Sequence, residues 1–599
     1  MRFPSAVAGL LGLLALAACG GLPSEGPIRS GASRSPGEQV EAAVDYTPDG
    51  PRPGASPLDV VGGFLQAMQA TPLSTAVARE FLTDEASTEW VPEKSTLVYG
   101  VYALQARTRG ARAVRLGLTD TDKLGSRGQW LIERRVAGRG VERTADEVRY
   151  RLSLVRERGQ WRIADPPDAL IVAKRYFETR FAQHFLHYFD SSAQILVPEP
   201  VYVPVGEQAP TLLVRGLLGG PAARLAGATR TFIPAETRLD DLAVLVSEDG
   251  EAQVPLSADF AELDAERLDL ALAQIGVTLG QVPGVESFQV TVDGSPLDLP
   301  GEGTNHRVSD WPEYDPWVVW ASQELFALRD SRVVTISDGA SRRVTGPAGT
   351  RDFDVRAIAL DLAAEEVAGI SRDGRTALVV ARDLAGVAAT QAEPEPVRSG
   401  ASDLLDPEWD IYGQLWLLDR APGGAELSVG SGRVRKVEAP GISGRDVERF
   451  TLSRDGTRLV AVLAGKGGDR LVISRVKRGE GGAVRGLSRA RDLPVGALGV
   501  TSIRDVGWRS PGSLFVLTEP SAGLAQLHVT LVDGSSKPGD VGSEAEILRR
   551  EAVRLVSAPT PGLPVYVETR RHRLYQLSEN GRWIPTATER GLTSPTYVG

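Results

Sequence analysis

A single cysteine, Cys19, occurs among the 599 residues. An intrachain disulfide and a multi-thiolate metal site are therefore excluded, and stability has to come from burial and hydrogen bonding. Lysine is scarce, 7 of the 67 basic residues, and Asn305 and Asn580 are the only asparagines, a bias that reads as a GC-rich genome rather than as arginine chemistry. Positive charge is not in excess either. The formal net charge of −10 argues against a general phosphate-tracking surface, so nucleic acid is not expected as a partner. Also missing are the zinc-protease HExxH, the Walker P-loop and the GxSxG nucleophile elbow. No enzyme activity, catalytic residue, metal or cofactor is expected.

What is present begins with Cys19 itself. Arg2 supplies a positive end, Ala6 to Leu16 carries no polar side chain, and Leu16-Ala17-Ala18-Cys19-Gly20 closes the run. The apolar segment falls short of the roughly 20 residues of a spanning helix. The pattern resembles a bacterial lipobox, which implies a signal peptide over 1–18 and a lipid-modified Cys19 at the start of the mature chain. Two or more acyl chains, at about 0.8 kcal/mol per buried methylene, hold a protein firmly to a membrane. Residues 19–55, rich in Gly, Pro, Ser and Glu, are expected to form a flexible tether.

A first domain is expected over 56–190. Ser56-Pro57 and Asp59 carry the cap, first-position proline and first-turn acid of a helix in which Leu58, Val61, Leu65 and Met68 recur at helical spacing. A second helix is expected over Ala76 to Leu82. Period-two strands follow around Val114 to Leu118 and Val148 to Leu154, with a hairpin turn at Arg158-Gly159-Gln160-Trp161. Two helices and an antiparallel meander suggest an α+β cone similar to the nuclear transport factor 2 superfamily.

A second domain is expected over 195–301, with a strand over Ile195 to Val203 and a helix near Pro210 to Leu218. It continues with a strand over Leu242 to Val246, a long helix carrying Leu268, Leu272, Ile275 and Leu279, and a strand over Val285 to Val292. Leu217-Leu218-Gly219-Gly220-Pro221, Ile233-Pro234-Ala235-Glu236-Thr237, Val254-Pro255-Leu256-Ser257 and Thr278-Leu279-Gly280-Gln281 resemble the GerMN domain of spore-germination and cell-envelope proteins. From 311 to 599 short strands alternate with Gly/Asp turns. Ser371-Arg372-Asp373-Gly374 and Ser453-Arg454-Asp455-Gly456 each precede an apolar strand, and Trp508-Arg509-Ser510-Pro511-Gly512 is a degenerate third copy. Such repeats predict an all-β propeller, and repeats of roughly 40 to 50 residues give about five to seven blades. The acidic, proline-containing segment 390–408 is expected to project from one blade as a loop.

Some residues invite a chemical reading. His184 and His187 could share a helix face with Asp190, but their aromatic surroundings favour a packing role. Ser474-Arg475-Val476-Lys477 matches the SxxK of penicillin-recognising enzymes, yet on a strand Ser474 and Lys477 point to opposite faces, and the companion motifs are missing. Asp240-Asp241, Glu365-Glu366 and Glu393 with Glu395 read as solvated surface. Trp311-Pro312-Glu313-Tyr314-Asp315-Pro316-Trp317 is expected to pack the second domain onto the propeller, with a sugar-stacking surface as the alternative.

A lipobox, an N-terminal α+β domain, a GerMN domain and a propeller in this order resemble the LpqB family of actinobacterial lipoproteins. The resemblance implies a membrane-anchored extracytoplasmic protein that associates with the extracytoplasmic domain of an MtrB-like histidine kinase and influences signalling through the MtrA regulator, hence cell division and wall metabolism. A peptidoglycan- or glycan-binding envelope receptor is the alternative. Cys19 is the one functional residue carried over. The propeller is expected to be removable, by deletion of 316–599, without unfolding the other two domains.

Overall fold

The computed structural model describes residues 45–106, 112–131, 141–143 (backbone alone), 147–222, 225, 227–315, 321–337, 339–382, 394–495, 502–535, 547–587 and 591–599. The expected signal peptide, Cys19, most of the expected tether, Glu393, Pro316 and Trp317 lie outside them.

The first domain starts earlier than 56. Tyr46 and Thr71 exchange two backbone hydrogen bonds of 2.9 Å, and the Gly54 amide donates to Gln160 Oε1 at 2.8 Å, so the last ten or so residues of the expected tether lie on the domain. Ser56 and Asp59 form a reciprocal capping box on the helix Pro57–Ala67. Val60, Val61, Phe64 and Leu65 of that helix, with Met68 just beyond it, enter a core shared with Leu116, Leu118, Leu152 and Leu154. The second helix is shorter than expected, Ala76–Arg79, and a third, Asp84–Glu89, follows with Thr83 as its cap. The sheet places Glu147–Glu157, Ala113–Gly125 and Ser95–Gln105 antiparallel in that order, and Leu170–Ala173 runs parallel to Ser95–Gln105 at the edge.

The expected boundary at 190–195 falls inside a hairpin. Strands Phe181–Asp190 and Leu196–Pro204 pair over nine positions, from Phe181↔Pro204 to Phe189↔Leu196, and Leu186, Tyr188 and Phe189 belong to the core of the middle domain. The hairpin forms there because the Asp190 carboxylate caps its own turn, accepting from the amides of Ser192 at 2.7 Å and Gln194 at 2.9 Å. Beyond it, Glu251–Leu256 and Ser287–Val292 are parallel neighbours joined through the helix Ala265–Leu279, whose Asp264 cap accepts from the Arg267 amide at 2.9 Å.

From Leu325 onward the described strands form six sheets arranged as propeller blades. Their innermost strands are Leu592–Thr596, Val355–Leu360, Glu408–Trp409, Val447–Leu452, Ile503–Ser510 and Ala552–Val556, taken here as blades 1 to 6. Leu592–Thr596 pairs with Leu325–Arg329, so a strand from the far end of the domain completes the first blade and closes the ring. Apolar layers fill the joints between blades, as with Trp416, Leu418, Leu459 and Ala461 between blades 3 and 4. Segment 390–408 is not a projecting loop where described: Glu395–Arg398 is the outer strand of blade 2, and the Leu404 amide donates to Gly374 O at 2.8 Å.

The repeated turns share a local design and differ in position. In each, the serine hydroxyl bonds the aspartate two residues on, Ser371 to Asp373 at 2.6 Å and Ser453 to Asp455 at 2.5 Å, and the glycine takes a left-handed φ of 73° or 62°. The copies at 453 and 508 join the first and second strands of blades 4 and 5, whereas the copy at 371 joins the second and third strands of blade 2. Internal similarity here marks a turn and not a blade register.

Candidate functional site

Two polar assemblies in the folded body were not visible as motifs. The first is the junction of all three domains, built on the hairpin 181–204. Tyr202 donates its amide to Gly128 O of the first domain at 2.8 Å and packs its ring on Trp130 and Phe177, with centroids 5.7 and 5.5 Å away. Its hydroxyl lies 2.6 Å from Ser535 Oγ of the propeller. On the same strand Glu199, almost wholly buried, accepts from Arg475 Nη2 at 2.8 Å and lies 3.4 Å from Arg458 Nη2, both of blade 4. Arg458, with 0% exposure, also donates to Pro198 O and pairs with Asp455 at 3.0 Å. Ser191 Oγ donates to Arg478 O at 3.1 Å, and a Cβ on Gly512 of blade 5 would stand 3.0 Å from the Phe185 ring. A buried charge is tolerated only when paired, and here the pairs cross domain boundaries. The three domains are therefore one mechanical body. The expectation that the propeller can be deleted cleanly is corrected, because its removal leaves Glu199 without its arginines.

The second assembly is a cavity of about 110 Å³ along the propeller axis, lined by the inner strands. Arg554 is its central cation: it lies 2.6 Å from Asp406 and 3.5 Å from Glu568. Burial would raise the Asp406 carboxyl, but Arg554 and Arg449 outweigh it and hold it below its ordinary value. Asp505 is pushed up by burial, despite Arg449 at 3.6 Å and the Leu555 amide donating at 2.7 Å. Burial also pushes the Glu408 carboxyl well up, more than its bonds to Thr451 and the Leu452 amide lower it. The channel thus mixes ionised pairs with an acid held toward its neutral form.

The residues singled out from the sequence fall elsewhere. His184 and His187 stand on a strand, not a helix, so residues three apart project to opposite faces and the shared face with Asp190 does not exist. Asp190 is occupied with its turn, and His187 Nδ1 lies 3.3 Å from Thr278 Oγ1. Burial drives the His187 imidazole down to about 3. Among the described residues no group of three His, Cys, Asp or Glu side chains could hold a metal. Ser474 is buried and donates to Ser488 O at 2.5 Å, while Lys477 faces solvent on the other side of its strand. Glu365, Glu366 and Glu395 do come together, at the rim of blade 2, where burial and then Asp361, Glu365 and Glu395 raise the Glu366 carboxyl. Asp240 and Asp241 lie exposed before the short strand Leu245–Val246.

Trp311 does not pack the middle domain onto the propeller. Its ring is buried in the middle-domain core beside Phe288 and His306, and its Nε1 donates to Asp269 Oδ1 at 2.7 Å. Tyr314 stands edge-on to Phe189 at 5.1 Å. Trp311 and Tyr314 are the last piece of that core, and burial, first, with Asp269 beside it, pushes the Tyr314 phenol up to about 12.

The junction left one trace in the sequence: Val197-Pro198-Glu199-Pro200-Val201 is an apolar strand with one carboxylate in its middle, and every residue of Leu196–Pro204 is buried. A charge in such a run asks for a partner. The channel residues left none, because its lining comes from all six blades.

Among the described residues no helix is long and apolar enough to cross a membrane. A family model described as "Lipoprotein LpqB, N-terminal domain" matches residues 50–178, one described as "Sporulation and spore germination" matches 186–298, and "Lipoprotein LpqB beta-propeller domain" matches 331–597. The boundary between the first two models agrees with the hairpin belonging to the middle domain. A "Lipoprotein LpqB" of Thermobifida fusca (strain YX) is 27% identical over all of this chain and 99% of its own length. Another, of Streptomyces coelicolor, is 28% identical over 91% of each. The first GerMN domain of the sporulation protein GerM from Bacillus subtilis aligns with 20% of this chain and 92% of its own, at 22% identity and a TM-score of 0.18. No catalytic family is among these matches. With two LpqB-specific domains flanking a GerMN domain, and relatives of that name aligned from end to end, the chain belongs to the LpqB family of actinobacterial lipoproteins.

Proposed function

We propose that this protein is a non-enzymatic accessory lipoprotein, anchored through Cys19 on the extracytoplasmic face of the membrane, that binds the extracytoplasmic domain of an MtrB-like sensor kinase and modulates its signalling to cell division and wall metabolism. The observation that carries the reading is the three-domain junction at the hairpin 181–204. Domains locked through Glu199, Arg458 and Tyr202 hold the propeller rim in a fixed relation to the first two domains. A rim of loops on a stiff frame loses little freedom on binding, and confinement to one membrane raises the effective concentration of both partners.

The test is calorimetric titration of the kinase ectodomain into the body spanning residues 45–599. Saturable binding supports the proposal, and its absence, together with binding of soluble peptidoglycan fragments, favours the wall-receptor reading instead. The propeller rim is proposed to carry most of the contact. The middle domain has its own exposed apolar residues, Leu242 at 85% and Leu245 at 67%. Leu242→Asp with Leu245→Asp should therefore leave affinity within about threefold, less than the tenfold that 1.4 kcal/mol represents. A larger loss moves the contact to the middle domain.

A further inference from the structure

The cavity on the propeller axis holds a cation with nothing to balance it. Arg454, in the turn between the first two strands of blade 4, lines the cavity with 9% of its surface exposed and has neither an ion pair nor a hydrogen-bond acceptor among the described residues. Its counterpart in the sister turn, Arg372, lies on the exposed rim and donates from Nε to Asp354 Oδ1 at 2.7 Å. The two turns share the serine–aspartate bond and the left-handed glycine, so turn geometry does not explain why one arginine is paired and the other is not. The neighbouring Asp455 is already committed to Ser453, Thr457 and Arg458.

Three further donors in the residues lining the cavity also lack a partner, and unlike the Arg454 nitrogens they are closed to solvent. Trp409 Nε1, Trp508 Nε1 and Ser557 Oγ are buried without a partner, and all three residues line it. Buried polar groups normally find acceptors, and an unmatched cation among unmatched donors is a site lacking its acceptor. The acids of the channel do not fill that need, since Asp406 is taken by Arg554, Asp505 by Arg449 and the Leu555 amide, and Glu408 bonds Thr451 and the Leu452 amide while burial pushes it toward its neutral form. Burial alone lowers the Arg454 guanidinium to about 10, with no carboxylate contributing, which agrees with the geometry.

We propose that the propeller channel binds an oxyanion, the carboxylate or phosphate group of a small ligand, with Arg454 as its charge partner and Trp409, Trp508 and Ser557 as the flanking donors. A guanidinium presents parallel N–H groups that suit either anion, and the cavity admits the anionic head of a ligand rather than a folded segment. This stands apart from the kinase reading, and neither depends on the other.

The test uses the full chain in detergent, at constant chloride, titrated separately with inorganic phosphate and with acetate. Saturable one-to-one binding of either probe is expected, and which one binds identifies the class of headgroup. Arg454→Gln should lose at least about tenfold in affinity, the scale of one charge-assisted hydrogen bond, while Arg454→Lys retains part of it. A second measurement needs no change at Arg454: in the wild-type protein the bound probe should shift the indole N–H resonances of Trp409 or Trp508, assigned by Trp→Phe variants. If neither probe binds or shifts either indole, or if folded Arg454→Gln binds as well as wild type, the proposal is overturned.

Discussion

Glu199 of the middle-domain hairpin accepts a 2.8 Å hydrogen bond from Arg475 of the propeller, 276 positions further along the chain. Arg458 stands on its other side and keeps Asp455 at 3.0 Å as a second partner, so Arg475 is the arginine that depends on this carboxylate. Replacing such a pair whole can be harmless, but removing one member leaves charge stranded in a dry site, at a cost of about 3–5 kcal/mol. Glu199→Ala should therefore lower stability by that order. Urea denaturation read by tryptophan fluorescence checks it, and a loss under about 1 kcal/mol would show that the junction is not a charge-locked one.

The contact between the first domain and the hairpin runs through backbone. Gly128 has a φ of 78°, and a Cβ there would stand 2.5 Å from Tyr202 O. A side chain at this position meets left-handed strain of about 1–2 kcal/mol and a clash with main chain that has no rotamer to escape through. Gly128→Ala is expected to open the domain contact locally. Hydrogen exchange at the Tyr202 amide, which donates to Gly128 O, should accelerate at least about tenfold, the equivalent of 1.4 kcal/mol, while the Ala368 amide inside blade 2 keeps its protection. Equal acceleration at both would mean global destabilisation and would sink the local reading.

How much was legible follows from how local each signal is. The capping box at Ser56, the period of the helix Ala265–Leu279 and the Ser–Arg–Asp–Gly turns are written within a few neighbouring residues, and the structure has all three. The run from Phe181 to Asp190 sets Gln183, His184, His187 and Asp190 among apolar residues without clean alternation, so periodicity could not tell strand from helix, and pairing with Leu196–Pro204 decided it. Trp311 carried an aromatic signal without an address. Its partner Asp269 is 42 positions away on a helix whose apolar face was visible but whose neighbour was not. The junction and the channel are assembled from residues hundreds of positions apart, and nothing local marks Arg454 as buried while its twin Arg372 is exposed.

Cys19 lies outside the described residues, and its role rests on its setting, Leu16-Ala17-Ala18-Cys19-Gly20, and on membership of a lipoprotein family. Cells grown with an alkyne-tagged fatty acid should label the wild-type protein and leave Cys19→Ser unlabelled, and the variant should move from the membrane fraction toward the soluble one. Equal labelling of both would place the lipid elsewhere and remove the proposed anchor.

The last prediction concerns acid. His187 is enclosed between the hairpin and the helix Ala265–Leu279, its amide donating to Thr278 Oγ1 at 3.2 Å and its carbonyl accepting from Gln274 Nε2 at 3.0 Å. Burial depresses its imidazole from 6.5 to about 3 in the folded protein. Above pH 6.5 the ring is neutral whether the chain is folded or not, and it contributes its full stability. As pH falls below that value the unfolded chain takes up a proton that the folded one refuses, so stability declines with a limiting slope of about 1.36 kcal/mol per pH unit. The decline ends near pH 3, where the folded ring protonates as well. His187 is half-buried as a residue, and any solvation of the ring makes the shift smaller and the pH window narrower. Between pH 7 and pH 5 the contribution is thus at most about 2 kcal/mol. His187→Gln removes the titration while keeping a polar side chain beside Thr278. Urea midpoints of wild type and variant should accordingly diverge less at pH 5 than at pH 7 if the variant is the less stable at neutrality. Parallel pH profiles would show that the imidazole does not titrate between the folded and unfolded states.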